Sequence, residues 1–257
     1  MRRTRVIPVL LLQKGGLVKT VKFKNPTYVG DPINAVKIFN EKEIDEIVVL
    51  DIDASREKRG PNFEQVKEIA GEAFIPLAYG GGISTLDQVK ELFYIGVEKV
   101  ILNYQAVKNP DLVSEAAKLV GSQSVVVSID TKKNLFGKYK VYTLGGTEST
   151  NEEPVEFAQR MQNVGAGEIF LNVIDRDGTF GGYDLDIIHR VAHALKIPLV
   201  ACGGATTVDD FAKAVQNGAS AVAAGSMFVF QRPHRAVLIS YPSQAELKEK
   251  LYNIKTW

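Results

Sequence analysis

Two stretches about half a chain apart share one pattern. IPLAYGGGISTLDQVKELFYIGVEKVIL begins at Ile75, and IPLVACGGATTVDDFAKAVQNGASAVAA begins at Ile197. Each reads apolar run, Gly-Gly, helix start, amphipathic helix, Gly, apolar run. VVLDIDAS and LNVIDRDG form a weaker second pair. A chain that repeats a strand–helix–strand unit in this way folds as two equivalent halves. No linker or shift in composition separates the halves, so residues 1–257 read as a single domain.

Short apolar runs rich in β-branched residues fall at 5–12, 46–52, 75–79, 99–102, 124–130, 168–174, 198–202 and 221–224. Continuous apolar strands of this kind belong to a parallel sheet covered on both faces. Between them, helical periodicity covers 32–42, 63–73, 85–94, 110–120, 154–164, 185–194 and 208–217. Ser84 with Asp87, and Thr207 with Asp210, read as helix caps with an acidic residue three positions on. Asp31 and Asn109 each precede a proline suited to a first helical position. Eight strands alternating with helices in about 250 residues is the pattern of a (β/α)8 barrel. A doubly wound open sheet is the runner-up, and the internal repeat favours a barrel made of two half-barrels.

In such a barrel, ligands sit at the C-terminal ends of the strands. Gly81-Gly82 and Gly203-Gly204 fall there in matching half-barrel positions, each ahead of a helix. Glycines let backbone N–H groups approach an anion, and the helix dipole favours negative charge. Asn103 after the fourth strand would complete one phosphate site, and Gly225-Ser226 after the eighth would complete another. The alternative is that these glycines only make tight turns. Carboxylates reach the same end: Asp51, Asp53, Asp130, Asp175 and Asp177. Asp130 and Asp177 are candidates for acid–base work, which needs a tuned carboxyl. Lys19, Lys22 and Lys24 read as a loop that either meets a phosphate or is simply solvated. At the opposite strand ends stand Arg5, Glu46, Lys99 and Glu168. Two cations and two anions there must pair, because isolated charges are costly. They form either a stabilising plug or a gate across an axial passage.

The formal net charge of +1 excludes an overall field for nucleic acid or an anionic membrane. No window approaches a membrane span, and the N-terminus lacks an apolar leader. The expectation is therefore a cytoplasmic protein with no nucleic-acid or membrane partner. Cys202 is the single cysteine, which excludes a disulfide framework and suits a small buried hydrophobe. His189 and His193 are four apart but lack a third ligand, so neither a metal nor a cofactor is expected.

Nearly end to end, the chain resembles the HisF family, the cyclase subunits of imidazole glycerol phosphate synthase. The segments that carry this are RVIPVLLL…GGLVK, FKN…GDP, DEIVVLDIDAS, IPLAYGGGI, GVEKVILN, VVVSID, GAGEIFLNVIDRDGT, GYDLD and ACGGA. The resemblance implies a half-barrel-duplicated (β/α)8 fold. It also implies a HisH-like glutaminase docked at the bottom, releasing ammonia that passes a gate matching Arg5, Glu46, Lys99 and Glu168. At the top, ammonia would attack a bis-phosphorylated ribulose-type nucleotide. Two aspartates do the acid–base work in the family, and the second matches Asp130. Lys19, Asp51 and Asp177 match further site positions.

The first aspartate belongs in a sequence like CLDV, and here VLLL places Leu11 in that position. Leu11 cannot transfer a proton, and a buried leucine opposite Asp130 would raise that residue's pKa. Tyr104 and Leu144 also replace small or hydroxyl residues of the family. This pattern, with the ending FVFQRPHRAVLISYP, resembles HisF paralogues of surface-polysaccharide gene clusters. The resemblance then implies a barrel that conducts ammonia to a separate sugar amidotransferase making acetamidino sugars. The alternatives are a working cyclase that relies on Asp130 with Asp51 or Asp177, and a bis-phosphate-binding scaffold that regulates its partner.

Overall fold

The computed structural model describes residues 3–231 and 234–254. Eight parallel strands form its centre: β1 (Arg5–Gln13), β2 (Ile47–Asp51), β3 (Leu77–Gly80), β4 (Lys99–Leu102), β5 (Val125–Lys133), β6 (Glu168–Val173), β7 (Leu199–Cys202) and β8 (Ala221–Ala224). Each pairs with its neighbours in sequence, β8 pairs with β1, and β5 pairs with β6, so the sheet closes. The architecture is the (β/α)8 barrel, and the open-sheet alternative is excluded. Seven long helices pack outside: α1 (Pro32–Asn40), α2 (Phe63–Glu72), α3 (Leu86–Tyr94), α4 (Asp111–Val120), α5 (Pro154–Val164), α6 (Leu185–Ala194) and α7 (Val208–Gln216).

The strands are buried on both faces, which is why their sequences run apolar without alternation. Outward side chains such as Val6, Leu10, Val49 and Leu171 join the helices in one large core. Inward side chains form a second, separate cluster that includes Ile7, Val9, Val48, Ala78, Ile101, Val126, Phe170 and Val200. The period of two along each strand therefore sorts every residue to core or lumen.

The position of an eighth long helix is taken by the C-terminal segment. After the short helix Ser226–Val229, the chain returns past β1, where the Tyr241 hydroxyl donates to the Val6 carbonyl at 3.1 Å. A last short helix, α8 (Gln244–Leu247), buries Leu247, and Lys250 beyond it reaches Asp209 of α7 at 3.4 Å. Arg232 and Pro233 of the distinctive ending lie outside the described residues.

Three expectations need correction. The run after β1 is not a loop: Gly16–Val21 and Lys24–Gly30 form a hairpin that continues β1 antiparallel, with Leu11 opposite Val18. The chain after β5 does the same, with Tyr139–Thr143 folding back on it. The cap of α3 is Thr85 rather than Ser84. Thr85 Oγ1 accepts from the Gln88 N–H at 3.3 Å, and the Gln88 carboxamide accepts in return from the Thr85 N–H at 3.2 Å. A glutamine at the third helical position completes the capping box as well as an acid does. The Thr207–Asp210 box and the Asp31 cap stand as expected, whereas Pro110 serves as cap to α4 rather than as its first residue.

The corrected cap makes a direct test. Thr85→Ala should destabilise the fold by about 1 kcal/mol in urea unfolding, and Ser84→Ala by less than half of that.

Candidate functional site at the barrel mouth

Gly81-Gly82 follows β3 and Gly203-Gly204 follows β7, as the repeat requires. All four have positive φ. A Cβ on Gly81 would sit 2.6 Å from the Asp51 carbonyl oxygen, and one on Gly203 would sit 2.8 Å from that of Val173. The glycines are therefore demanded by close approach to the neighbouring strand ends, whatever ligand the turns hold. They open onto two places. Gly81, Gly82 and Asn103 line a central cavity of about 160 Å³ at the strands' C-terminal ends. Gly203 and Gly204 line a smaller recess on the far side, shared with Asp177, Gly225 and Ser226.

Leu11, Lys19, Asp51, Asp130, Asp177, Gly225 and Ser226 also face the central cavity. The structure thus gathers most of the mouth residues expected from the sequence around one cavity, while Gly203 and Gly204 line the neighbouring recess and Asp53 and Asp175 line neither. Tyr104 and Leu144 line the same space. Leu11 is only partly buried and packs on the edge of the lumen cluster, so it caps the hydrocarbon lining rather than lying sealed within it.

Strand register splits the upper lumen into two sides. Asp130 lies directly across from Asn172, and Asn172 from Cys202. Leu11 lies across from Leu50, Leu50 from Gly80, and Gly80 from Ile101. One side of the mouth is polar and the other hydrocarbon. Asn103 Nδ2 donates to the Asp130 carboxylate at 3.3 Å and to the Ser128 carbonyl at 3.0 Å. Burial pushes the Asp130 carboxyl up to about 7, with the nearby Asp177 charge adding to the effect. Asp177 is also raised by burial, against the pull of Thr20, the Phe23 N–H and Lys19. Its Oδ2 accepts from Thr20 Oγ1 at 2.7 Å and from the Phe23 N–H at 3.3 Å. These contacts come from the hairpin after β1, which therefore forms a wall of the site.

Lys19 stands on that hairpin and is only 4% exposed, which removes the solvated-loop alternative for this lysine. Its amine bonds to the Val9 carbonyl. Burial lowers its pKa to about 8, although Asp177 and Cys202 oppose the shift. Asp51 plays a different part from the one expected. Arg59 binds both of its oxygens, at 2.7 and 2.9 Å, and the N–H groups of Asp53 and Ala54 each donate to it at 3.1 Å. A carboxylate so fully engaged holds its loop and is not poised to move a proton. Asp53 is tied to Arg56 and to Gln13, and Asp175 accepts from the Lys133 N–H at 3.1 Å.

At the other end, the four expected charges meet. Glu46 accepts from Arg5 at 2.5 Å and from Lys99 at 2.8 Å. Glu168 accepts from Lys99 at 3.0 Å and pairs with Arg5. The ring closes the lumen. Burial alone would lower the Arg5 pKa, but Glu168 and Glu46 outweigh it and hold the guanidinium charged. His189 and His193 stack at 4.0 Å, and the described residues contain no group of three or more His, Cys, Asp or Glu side chains placed to hold a metal.

Asn172, Ser128 and Arg59 were not singled out in the sequence. Asn172 is 9% exposed, and its Oδ1 has no hydrogen-bond partner. The period of two from Glu168 through Phe170 carried the signal, since it places Asn172 in the lumen. No helix among the described residues is long and apolar enough to cross a membrane.

Comparison with known proteins agrees with this architecture. The family model described as histidine biosynthesis protein matches residues 5–233. A provisional imidazole glycerol phosphate synthase subunit hisF2 of Pseudomonas aeruginosa is 52% identical, over 96% of this chain and 99% of its own length. A provisional HisF subunit of Leptospira interrogans is 46% identical, over 98% and 100%. The imidazole glycerol phosphate synthase subunit HisF of Alkaliphilus metalliredigens is 44% identical, over 87% and 89%.

The burial of Asp130 predicts a pH signature. A carboxyl raised in the folded state, from about 4 when unfolded, weighs against folding increasingly between those two pH values and constantly above. Asp130→Asn should therefore leave stability near that of the parent around pH 4. It should gain about 1–4 kcal/mol by pH 8 in chemical unfolding, with no further gain above that pH.

Proposed function

Because the chain belongs to the histidine biosynthesis protein family, in its HisF branch, we propose that it is the barrel subunit of a glutamine amidotransferase complex that conducts ammonia without cyclising a nucleotide. A HisH-like glutaminase docks at the bottom and releases ammonia beneath the charged ring. The ammonia travels the lumen and is handed at the mouth to a sugar-amidating enzyme of surface-polysaccharide synthesis.

One contrast carries the reading. The ring of Arg5, Glu46, Lys99 and Glu168 is intact, while Leu11 stands where the family has its first acid–base aspartate. Loss of one partner of such a pair costs about 10²- to 10⁴-fold in rate. A conduit needs no such pair. It needs a gate and a dry lining, and Ile7, Val48, Ile101, Val126 and Phe170 supply the lining. Burial in hydrocarbon disfavours ammonium and so favours passage as neutral ammonia. The bottom suits a docked partner: Phe74 before β3 and Tyr94 before β4 are 85% and 86% exposed. Large exposed aromatics at this end of the barrel are the kind of apolar surface that an interface buries.

A second reading has its own observation. Asp130 and Asp177 both face the cavity with raised pKa, which would suit a cyclase that manages without the first aspartate.

Nitrogen tracing tests the conduit. Glutamine labelled with ¹⁵N in its amide is supplied to the complex of barrel, glutaminase and sugar-amidating enzyme, in buffer holding equal unlabelled ammonium. The sugar product should carry predominantly ¹⁵N. Ala223→Leu, which fills the lumen, should bring the label down to the bulk ratio. Label at the bulk ratio with the unaltered barrel would overturn the reading.

A further inference from the structure

The conduit reading leaves one buried nucleophile without a task. Lys19 Nζ lies at the wall of the mouth cavity, and no carboxylate lies within salt-bridge distance of it among the described residues. Its one hydrogen-bond partner among the described residues is the Val9 carbonyl. An ammonium has three donors, so two are left without an acceptor among the described residues. Gly225 makes the room, because a Cβ there would come within 2.7 Å of Nζ. A larger residue at that position would displace the amine.

We propose that Lys19 is an imine-forming lysine, capturing an open-chain keto or aldehyde sugar at the mouth as a covalent Schiff base. The setting suits the chemistry. An amine nucleophile is activated by an apolar pocket that keeps it partly neutral, and Leu11, Leu50 and Leu144 supply apolar wall. Two carboxyl groups, Asp130 and Asp177, line the same cavity as Lys19, and the Asp177 charge acts on both Lys19 and Asp130.

The steps balance without an oxidant or reductant. The neutral amine attacks the carbonyl carbon, a C–N bond forms, and the C=O π pair moves to oxygen. That oxygen takes the proton of Asp130, which burial keeps protonated near neutral pH. The nitrogen gives up one proton to Asp177, leaving a carbinolamine. Asp177 returns that proton to the hydroxyl oxygen, the C–O bond breaks, and water leaves as the nitrogen lone pair forms C=N⁺. The product is an iminium with one N–H, enough to keep the bond to Val9. The Asp130 carboxylate balances its charge. Leu11 is compatible with this role, since a further carboxylate in this cavity would favour the protonated amine.

The inference rests on the cavity and not on ammonia passage, so the tracing experiment and the following one fail independently. The full chain is incubated with dihydroxyacetone phosphate and sodium borohydride, which delivers hydride to an iminium and fixes it as a secondary amine. Adducts are mapped by peptide mass. At pH 7.5 an amine of pKa about 8 is free on the order of 10²-fold more often than an exposed lysine of pKa about 10.4. The expected result is one adduct per chain, at Lys19, at least about tenfold above any other lysine after the access penalty of a buried site. Because the step needs Lys19 neutral and Asp130 protonated, its rate should pass through a maximum between about pH 7 and about pH 8 and fall on either side. Lys19→Arg, which keeps the charge but cannot form an imine, should remove that adduct. Adducts spread over surface lysines, with Lys19 no higher than the rest, would overturn the proposal. The map on the unaltered chain decides the matter even if the variant folds poorly.

Discussion

Closure of the barrel through the β5–β6 ladder is the constraint on which the rest depends. The ladder runs from Glu168 beside Val126 to Val173 beside Thr131. Its lower end brings Glu168 into the ring with Arg5 and Lys99, and its upper end sets Asn172 beside Asp130. The two ends are four residues apart on one strand, and the period of two guarantees that both face the lumen. An open sheet would place the same side chains at an edge, where neither ring nor cavity could form.

The three tiers of the lumen follow from that geometry and differ in what burial costs. In the bottom tier Glu46 and Glu168 are each 4% exposed, yet each is shared by the same two cations. A net-neutral ring of this kind avoids leaving a buried charge alone, which is the expensive case. The middle tier is hydrocarbon and carries no charge at all. In the top tier burial is not fully compensated: Asp130 is raised, Lys19 is lowered, and Asn172 keeps an unpaired oxygen. Uncompensated polar groups gathered at one end of a barrel mark the place where chemistry is done. Leu11 adds no charge to this tier, so the uncompensated groups are those of Asp130, Lys19 and Asn172.

Much of this was legible in the sequence. The repeat beginning at Ile75 and Ile197 carried the barrel, and the strand-end charges carried the ring, because strand direction alone decides which end a residue occupies. What escaped notice depended on local pairing. GLVKTV is β-branched and ends at a turn, yet the flanking Gly15 and the lysines made it read as loop, and so the strand that carries Lys19 went unread. The Thr85 cap was missed because Gln88, a neutral residue, closes it. Asp51 read as an acid–base candidate because nothing in the sequence ties it to Arg59, eight residues on. Asn172 was passed over because an apolar strand around it suggests only packing.

The most direct test of the central claim, that the gate outlived the chemistry it once served, is cyclase turnover by the purified chain. The chain would be given a bis-phosphorylated ribulose-type nucleotide and ammonium salt at high pH, so that external ammonia bypasses gate and glutaminase alike. The account predicts no turnover by the natural chain and measurable turnover on Leu11→Asp. Turnover by the natural chain within about tenfold of an ordinary HisF subunit would contradict it, since losing an acid–base partner should cost about 10²-fold or more.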